Sequence, residues 1–198
     1  MKETVWSMLL ALAISLTPSS QTWDFNLVDA AGRQHTAREW RAARVVVLLF
    51  IGVECPISNR YAPEIHRLVE AYAPQGASFY GVHSDPALGA EVVSRQARDY
   101  GFDFPVLLDP EQVLAGRAGV TVTPTAAVLS PAGELLYRGR IDNRFLDFGR
   151  YRDAGIKPDL RLALEAVIAG RPIAEPFTKS VGCALPPPAG RSTPRQTQ

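Results

Sequence analysis

Apolar positions along the chain fall into patterned runs separated by turn residues. The longest, Val45-Val46-Val47-Leu48-Leu49-Phe50-Ile51, is continuous and β-branched, which predicts a central strand covered on both faces. It stops at Gly52, three residues before Cys55-Pro56. From Ile57 the period changes. Ile57, Tyr61, Ile65, Leu68, Val69 and Tyr72 fall at offsets 0, 4, 8, 11, 12 and 15, on one face of a helix. Pro63 lies inside that pattern and predicts a kink, because it removes a backbone donor.

The flanking patterns complete the order. Trp23 to Thr36 reads as a hairpin turning at Asp29-Ala30-Ala31-Gly32. Residues 78–82 and 104–108 read as strands, and 87–100 and 111–118 as helices. Residues 125–129 and 135–140 form an antiparallel pair across Ser130-Pro131-Ala132-Gly133. Residues 159–168 form a closing helix, with Asp159 placed to cap it and Gly170 to stop it. The fold class is therefore α/β, with helices around one sheet.

Composition narrows the possible functions. The 198 residues are 46% hydrophobic and 21% charged, which fits one folded domain with extensions and excludes disorder throughout. Lys and Arg number 21 against 20 Asp and Glu, so there is no excess of positive charge to bind nucleic acid or an anionic membrane. There is no CxxC, no HExxH and no zinc-finger spacing, so a structural zinc site is not expected, and no cofactor is expected.

Residues 1–21 read as an export signal, with Lys2, an apolar run from Val5 to Leu16, and small residues for cleavage near 19–22. The run is shorter than the ~20 residues of a membrane span. The mature chain is expected in the periplasm or secreted, without stable membrane insertion; an uncleaved anchor is the alternative. The folded domain is placed at 22–183 and a disordered Pro-rich tail at 184–198.

A cysteine placed after a buried strand and at the start of a helix has a physical reason to be reactive. Unpaired N–H groups and the helix dipole favour the thiolate, drawing the pKa below about 8.5. Pro56 suits the first helical position. Glu54 opposes the thiolate, and Arg60 is placed to offset Glu54. An inert buried cysteine is the competing reading.

Strand, Cys55, proline-kinked helix, and Val122-Thr123-Pro124-Thr125 before a hairpin together resemble the thioredoxin superfamily. Pro63 follows Cys55 by eight residues, as the helix proline does in thioredoxin. Thr123-Pro124-Thr125 is similar to the superfamily's cis-proline loop beside the active cysteine. The segment CPISNRYAPEI, the αβ insertion at 78–108, the N-terminal hairpin and the late YRGRID resemble the redoxin branch, which contains the alkyl hydroperoxide reductase/thiol-specific antioxidant family. The resemblance covers residues 23 to 183 and implies a mixed sheet flanked by helices. It also implies Cys55 as nucleophile, with Pro56, Ser58, Thr123, Pro124 and Arg140 positioning substrate.

Three departures matter. Ser58 stands where a dithiol thioredoxin has its second cysteine, Leu49 replaces thioredoxin's buried strand carboxylate, and Leu48 and Gly52 replace the Pro and Thr of peroxiredoxins. A cycle through Cys55 needs a second thiol. Cys183 can supply it as a resolving cysteine; a free thiol or an intermolecular bridge are the alternatives.

The expected activity is thiol–disulfide oxidoreduction, with a protein or small-molecule disulfide and a thiol electron donor as partners. A peroxiredoxin-like peroxidase is the close alternative. Outside the enzymes stand a copper carrier using Cys55, Cys183 and His83, and a redox-inactive binding module. His35 and His66 are expected on the surface, and Arg138, Arg140, Asp142 and Arg144 as a solvated or ion-paired set.

Overall fold

The computed structural model describes residues 23–188, so the expected leader (1–21) and the tail beyond 188 lie outside the described residues. The chain opens with a hairpin, β1 (Asn26–Val28) and β2 (Gln34–Thr36), then enters β3 (Val45–Phe50). Next come α1 (Pro56–Arg60), α2 (Ala62–Tyr72), β4 (Ala77–His83), α3 (Ala90–Asp99), β5 (Val106–Leu108) and α4 (Val113–Ala118). Two strands, β6 (Val122–Thr123) and β7 (Thr125–Leu129), flank Pro124, and β8 (Leu135–Gly139) returns beside β7. A short hairpin of β9 (Phe145–Asp147) and β10 (Arg150–Tyr151), helix α5 (Asp159–Ile168) and β11 (Cys183–Ala184) complete the order.

The main sheet has the order β5-β4-β3-β7-β8, with β3, β4 and β5 parallel and β7 and β8 antiparallel. Strand β3 is central and every residue in it is buried, as its uninterrupted apolar run requires. Successive side chains alternate between faces. Val45, Val47, Leu49 and Ile51 pack with Ile65 and Leu68 of α2 and Leu160 and Leu164 of α5. Val46, Leu48 and Phe50 pack on the other face with Trp40, Leu107 and Leu114. Each fully buried aliphatic side chain contributes about 1.5–3 kcal/mol, so the two faces fix the strand that carries Cys55 at its end.

Several boundaries differ from the sequence expectation. Pro63 ends one helix and admits another: Tyr61 closes α1 and opens α2, because Pro63 cannot donate to Asn59 and its ring crowds that carbonyl. Helix α3 starts at Ala90 rather than 87, since the Asp85 carboxylate takes the Ala87 N–H (2.9 Å) in a turn. Strand β5 starts after Pro105, and α4 after Gln112. Asp159 does not cap α5; Pro158 holds that place and Asp159 binds Arg140 instead. Gly170 ends α5 with a left-handed φ of +65°, as expected. His35 is buried rather than exposed, held between Asp29 Oδ2 (2.9 Å) and Glu39 Oε2 (2.8 Å).

Candidate active site around Cys55

Cys55 is the N-cap residue of α1 and is only 4% exposed. Three polar side chains build the turn that delivers it from β3. Ser58 Oγ accepts the Gly52 N–H (3.2 Å), and Asn59 Nδ2 donates to the Val53 carbonyl (2.9 Å). Gln96 Nε2, from α3, reaches both the Gly52 carbonyl (3.1 Å) and Asn59 Oδ1 (2.8 Å). The Val53 N–H points to His83 Nε2 at 3.4 Å. Burial keeps His83 below the usual imidazole pKa, and its Nδ1 has no partner among the described residues.

The Thr123–Pro124 bond is cis. As a thiol, Cys55 donates to the Thr123 carbonyl, on the N-terminal side of that bond, at 3.3 Å. Gly52 lies against Thr123 so closely that a Cβ there would meet Thr123 Oγ1 at 2.9 Å. This packing accounts for the glycine at a position where peroxiredoxins carry threonine.

The second sulfur comes from the C-terminal segment. Strand β11 pairs antiparallel with β6, with Cys183 opposite Thr123 and Ala184 opposite Val122. Gly182 lies directly over the Thr123 carbonyl, where any Cβ would collide with the oxygen. The pairing brings the Cys183 thiol into hydrogen-bond contact with Cys55. Burial works against a Cys55 thiolate, but hydrogen bonds from Cys183 and from the Ser58 N–H and hydroxyl outweigh it, and the pKa is lowered. For Cys183, burial and the adjacent Cys55 sulfur both act upward, to about 12. Of the two thiols, Cys55 is therefore the one that gives up its proton first.

The sequence-predicted residues are not all at this centre. Cys55, Ser58, Thr123, Pro124 and Cys183 converge, and Pro56 occupies the first turn of α1. Arg140 does not join them: its Nε binds Asp159 (2.6 Å) and its N–H binds Thr178 Oγ1 (3.1 Å). Nor does Arg60 offset Glu54, because its guanidinium lies over the Tyr151 ring, 5.9 Å from the centroid. Asp142 is buried, accepting from Tyr61 (2.5 Å) with Arg144 alongside (3.5 Å). Cys55, Cys183 and His83 form no metal-binding group; among the described residues no three His, Cys, Asp or Glu side chains do. Sequence reasoning missed Asn59 and Gln96. Asn59 was within reach, as a polar residue four positions after Cys55; Gln96 acts only through tertiary contact.

Known proteins resemble this chain in sequence and fold. Residues 18–138 match the AhpC/TSA family. The thiol-disulfide oxidoreductase ResA of Geobacillus thermodenitrificans is 26% identical over 133 residues, covering 67% of this chain and 74% of the relative. A hypothetical protein from Sinorhizobium meliloti 1021 superposes with a TM-score of 0.73 at 27% identity, covering 84% of this chain and 92% of that one. The thioredoxin domain of a Bacteroides vulgatus thiol-disulfide oxidoreductase superposes over 58% of this chain and 81% of its own (TM-score 0.51, 17% identity), a likeness of fold.

Proposed function

Because the chain belongs to the AhpC/TSA family, we propose that it catalyses thiol–disulfide exchange, with Cys55 as nucleophile and Cys183 as resolving thiol. The observation that carries this reading is the antiparallel pairing of Cys183 with Thr123, which sets the second sulfur against the first. The Cys55 thiolate attacks one sulfur of a substrate disulfide; that S–S bond breaks, and the departing thiolate takes the electron pair and a proton. Once Cys55 is in the mixed disulfide its charge is gone, and with it part of what raises the Cys183 pKa. Cys183 then loses its proton, attacks the Cys55 sulfur and expels the second half of the substrate. The substrate is reduced by two electrons, the enzyme is left as the Cys55–Cys183 disulfide, and an external thiol donor returns it to the dithiol.

Protein disulfides and small disulfides both fit this chemistry. The Ser58 and Thr123–Pro124 backbone holds the reacting sulfur in place, and the apolar run at 5–16 supports a site of action outside the cytoplasm. In insulin reduction, Cys55→Ser is expected to remove activity. Cys183→Ser is expected to accumulate a mixed disulfide on Cys55 with turnover down at least tenfold. Full activity in Cys55→Ser would overturn the reading.

A further inference from the structure

The C-terminal segment that carries Cys183 is tied to the domain at two places. At its start, Arg138 and Phe177 form a backbone bridge, the Thr178 N–H donates to the Arg138 carbonyl (3.0 Å), and Thr178 Oγ1 meets Tyr137 Oη (2.7 Å). Between these ties, Val181 and Cys183 pack against the apolar core and β11 pairs with β6, while Ser180 Oγ is buried without a partner among the described residues. Beyond β11, the Leu185 N–H donates to the Thr121 carbonyl (2.9 Å), and Gln112 Nε2 donates to the Pro186 carbonyl (2.5 Å). The same Gln112 nitrogen donates to the Ser84 carbonyl (3.1 Å), next to His83, which touches the turn before Cys55.

Gln112 is the only non-glycine among the described residues with a positive φ, +57°. A side-chain-bearing residue in that region signals a local demand that outweighs its backbone preference. The Gln112 N–H bonds the Asp109 carbonyl (2.9 Å), and the Asp109 carboxylate takes the amides of Val113, Leu114 and Ala115, so the start of α4 is rigid. A glycine would satisfy the backbone there, but it has no side chain to donate to the two carbonyls.

We infer that Gln112 is a positioning residue of the redox pair: by tying Pro186 to the Ser84 loop, it seats the C-terminal strap so that Cys183 lies against Cys55. The inference rests on the two-cysteine reading above. With the tie intact, the strap covers Cys55 and presents one internal thiol. With it broken, β11 lifts from β6, Cys55 opens to external reagents, and its internal partner is lost.

The test uses the full chain and two variants. Gln112→Glu keeps the size but cannot donate to either carbonyl, and Gln112→Gly relieves the backbone while removing the side chain. In the reduced state, iodoacetamide is expected to label Cys55 at least tenfold faster in both variants than in the parent. In glutathione buffers, both are expected to lose at least tenfold in the equilibrium constant for closing Cys55–Cys183. There the two protein thiols give two electrons and two protons to oxidised glutathione, releasing two reduced glutathiones. Parent-like labelling and parent-like closure in both variants, even with a changed melting temperature, would overturn the inference and leave Gln112 as a cap on α4. A parent chain that never closes the disulfide would instead overturn the two-cysteine reading, and the labelling rates would still report on strap seating.

Discussion

Cys55 and Cys183 are chemically the same side chain, yet their surroundings separate their proton affinities in opposite directions. Cys55 gains hydrogen bonds that favour its anion, and Cys183 gains a neighbour that needs its proton. Ultraviolet thiolate absorbance of the reduced chain is expected to rise in two separate steps. The first lies below the ordinary thiol value of about 8.5, and the second lies near 12. Cys183→Ala is expected to move the first step upward; an unchanged first step would show that Cys183 gives Cys55 no support. The stability of the reduced chain carries the same signs. Cys55, depressed in the fold, contributes stability that is complete above the unfolded thiol pKa and lost as pH falls through its folded value. Cys183, raised in the fold, contributes stability that is complete below the unfolded pKa and lost as pH rises toward about 12. Urea midpoints of the reduced chain are expected to peak near pH 8.5, a peak missing from the Cys55→Ser/Cys183→Ser double variant. At this scale Cys55 was legible from its place between a buried strand and a helix, and Ser58 and Pro124 from the resemblance to the thioredoxin superfamily. His35, Gln96 and Gln112 were not, since each acquires its role from residues brought near by folding.

At the scale of elements, two short pieces decide the geometry. The first is the break between α1 and α2 at Tyr61, which frees the Tyr61 side chain to reach the buried Asp142 carboxylate (2.5 Å) and to pack edge-on to Phe145 (5.2 Å). Tyr61→Phe leaves that carboxylate with one donor fewer. Urea unfolding is expected to show a loss of about 1–3 kcal/mol, against no loss if water replaces the bond fully. The second piece is β11. It escapes a sequence reading because a two-residue strand has no periodicity, and its apolar content, Cys183 and Ala184, is slight. Gly182, just before it, lets the backbone approach the Thr123 carbonyl. Gly182→Ala is expected to unseat β11 and raise the iodoacetamide labelling rate of Cys55 at least fivefold, where a harmless substitution would leave it unchanged.

For the whole molecule, the continuous apolar run of β3 and the succession of strands and helices made the α/β architecture readable, and the sheet's five strands are the five the pattern predicts along the chain. The packing of the C-terminal strap against β6 was not readable, because it joins residues about 60 positions apart through backbone bonds that any sequence can make. A Cys55–Cys183 disulfide would close a loop of about 130 residues. Chain-entropy arguments give such a crosslink roughly 4–5 kcal/mol, less any native strain, so the oxidised chain is expected to unfold at higher urea than the reduced one. The most direct test of the account is peptide mapping by mass spectrometry after alkylation of the native chain, before and after reductant. The account predicts a Cys55–Cys183 crosslinked peptide that disappears on reduction as both cysteines become labelled. Two alkylated cysteines and no crosslink, even after exposure to oxidised glutathione, would contradict it.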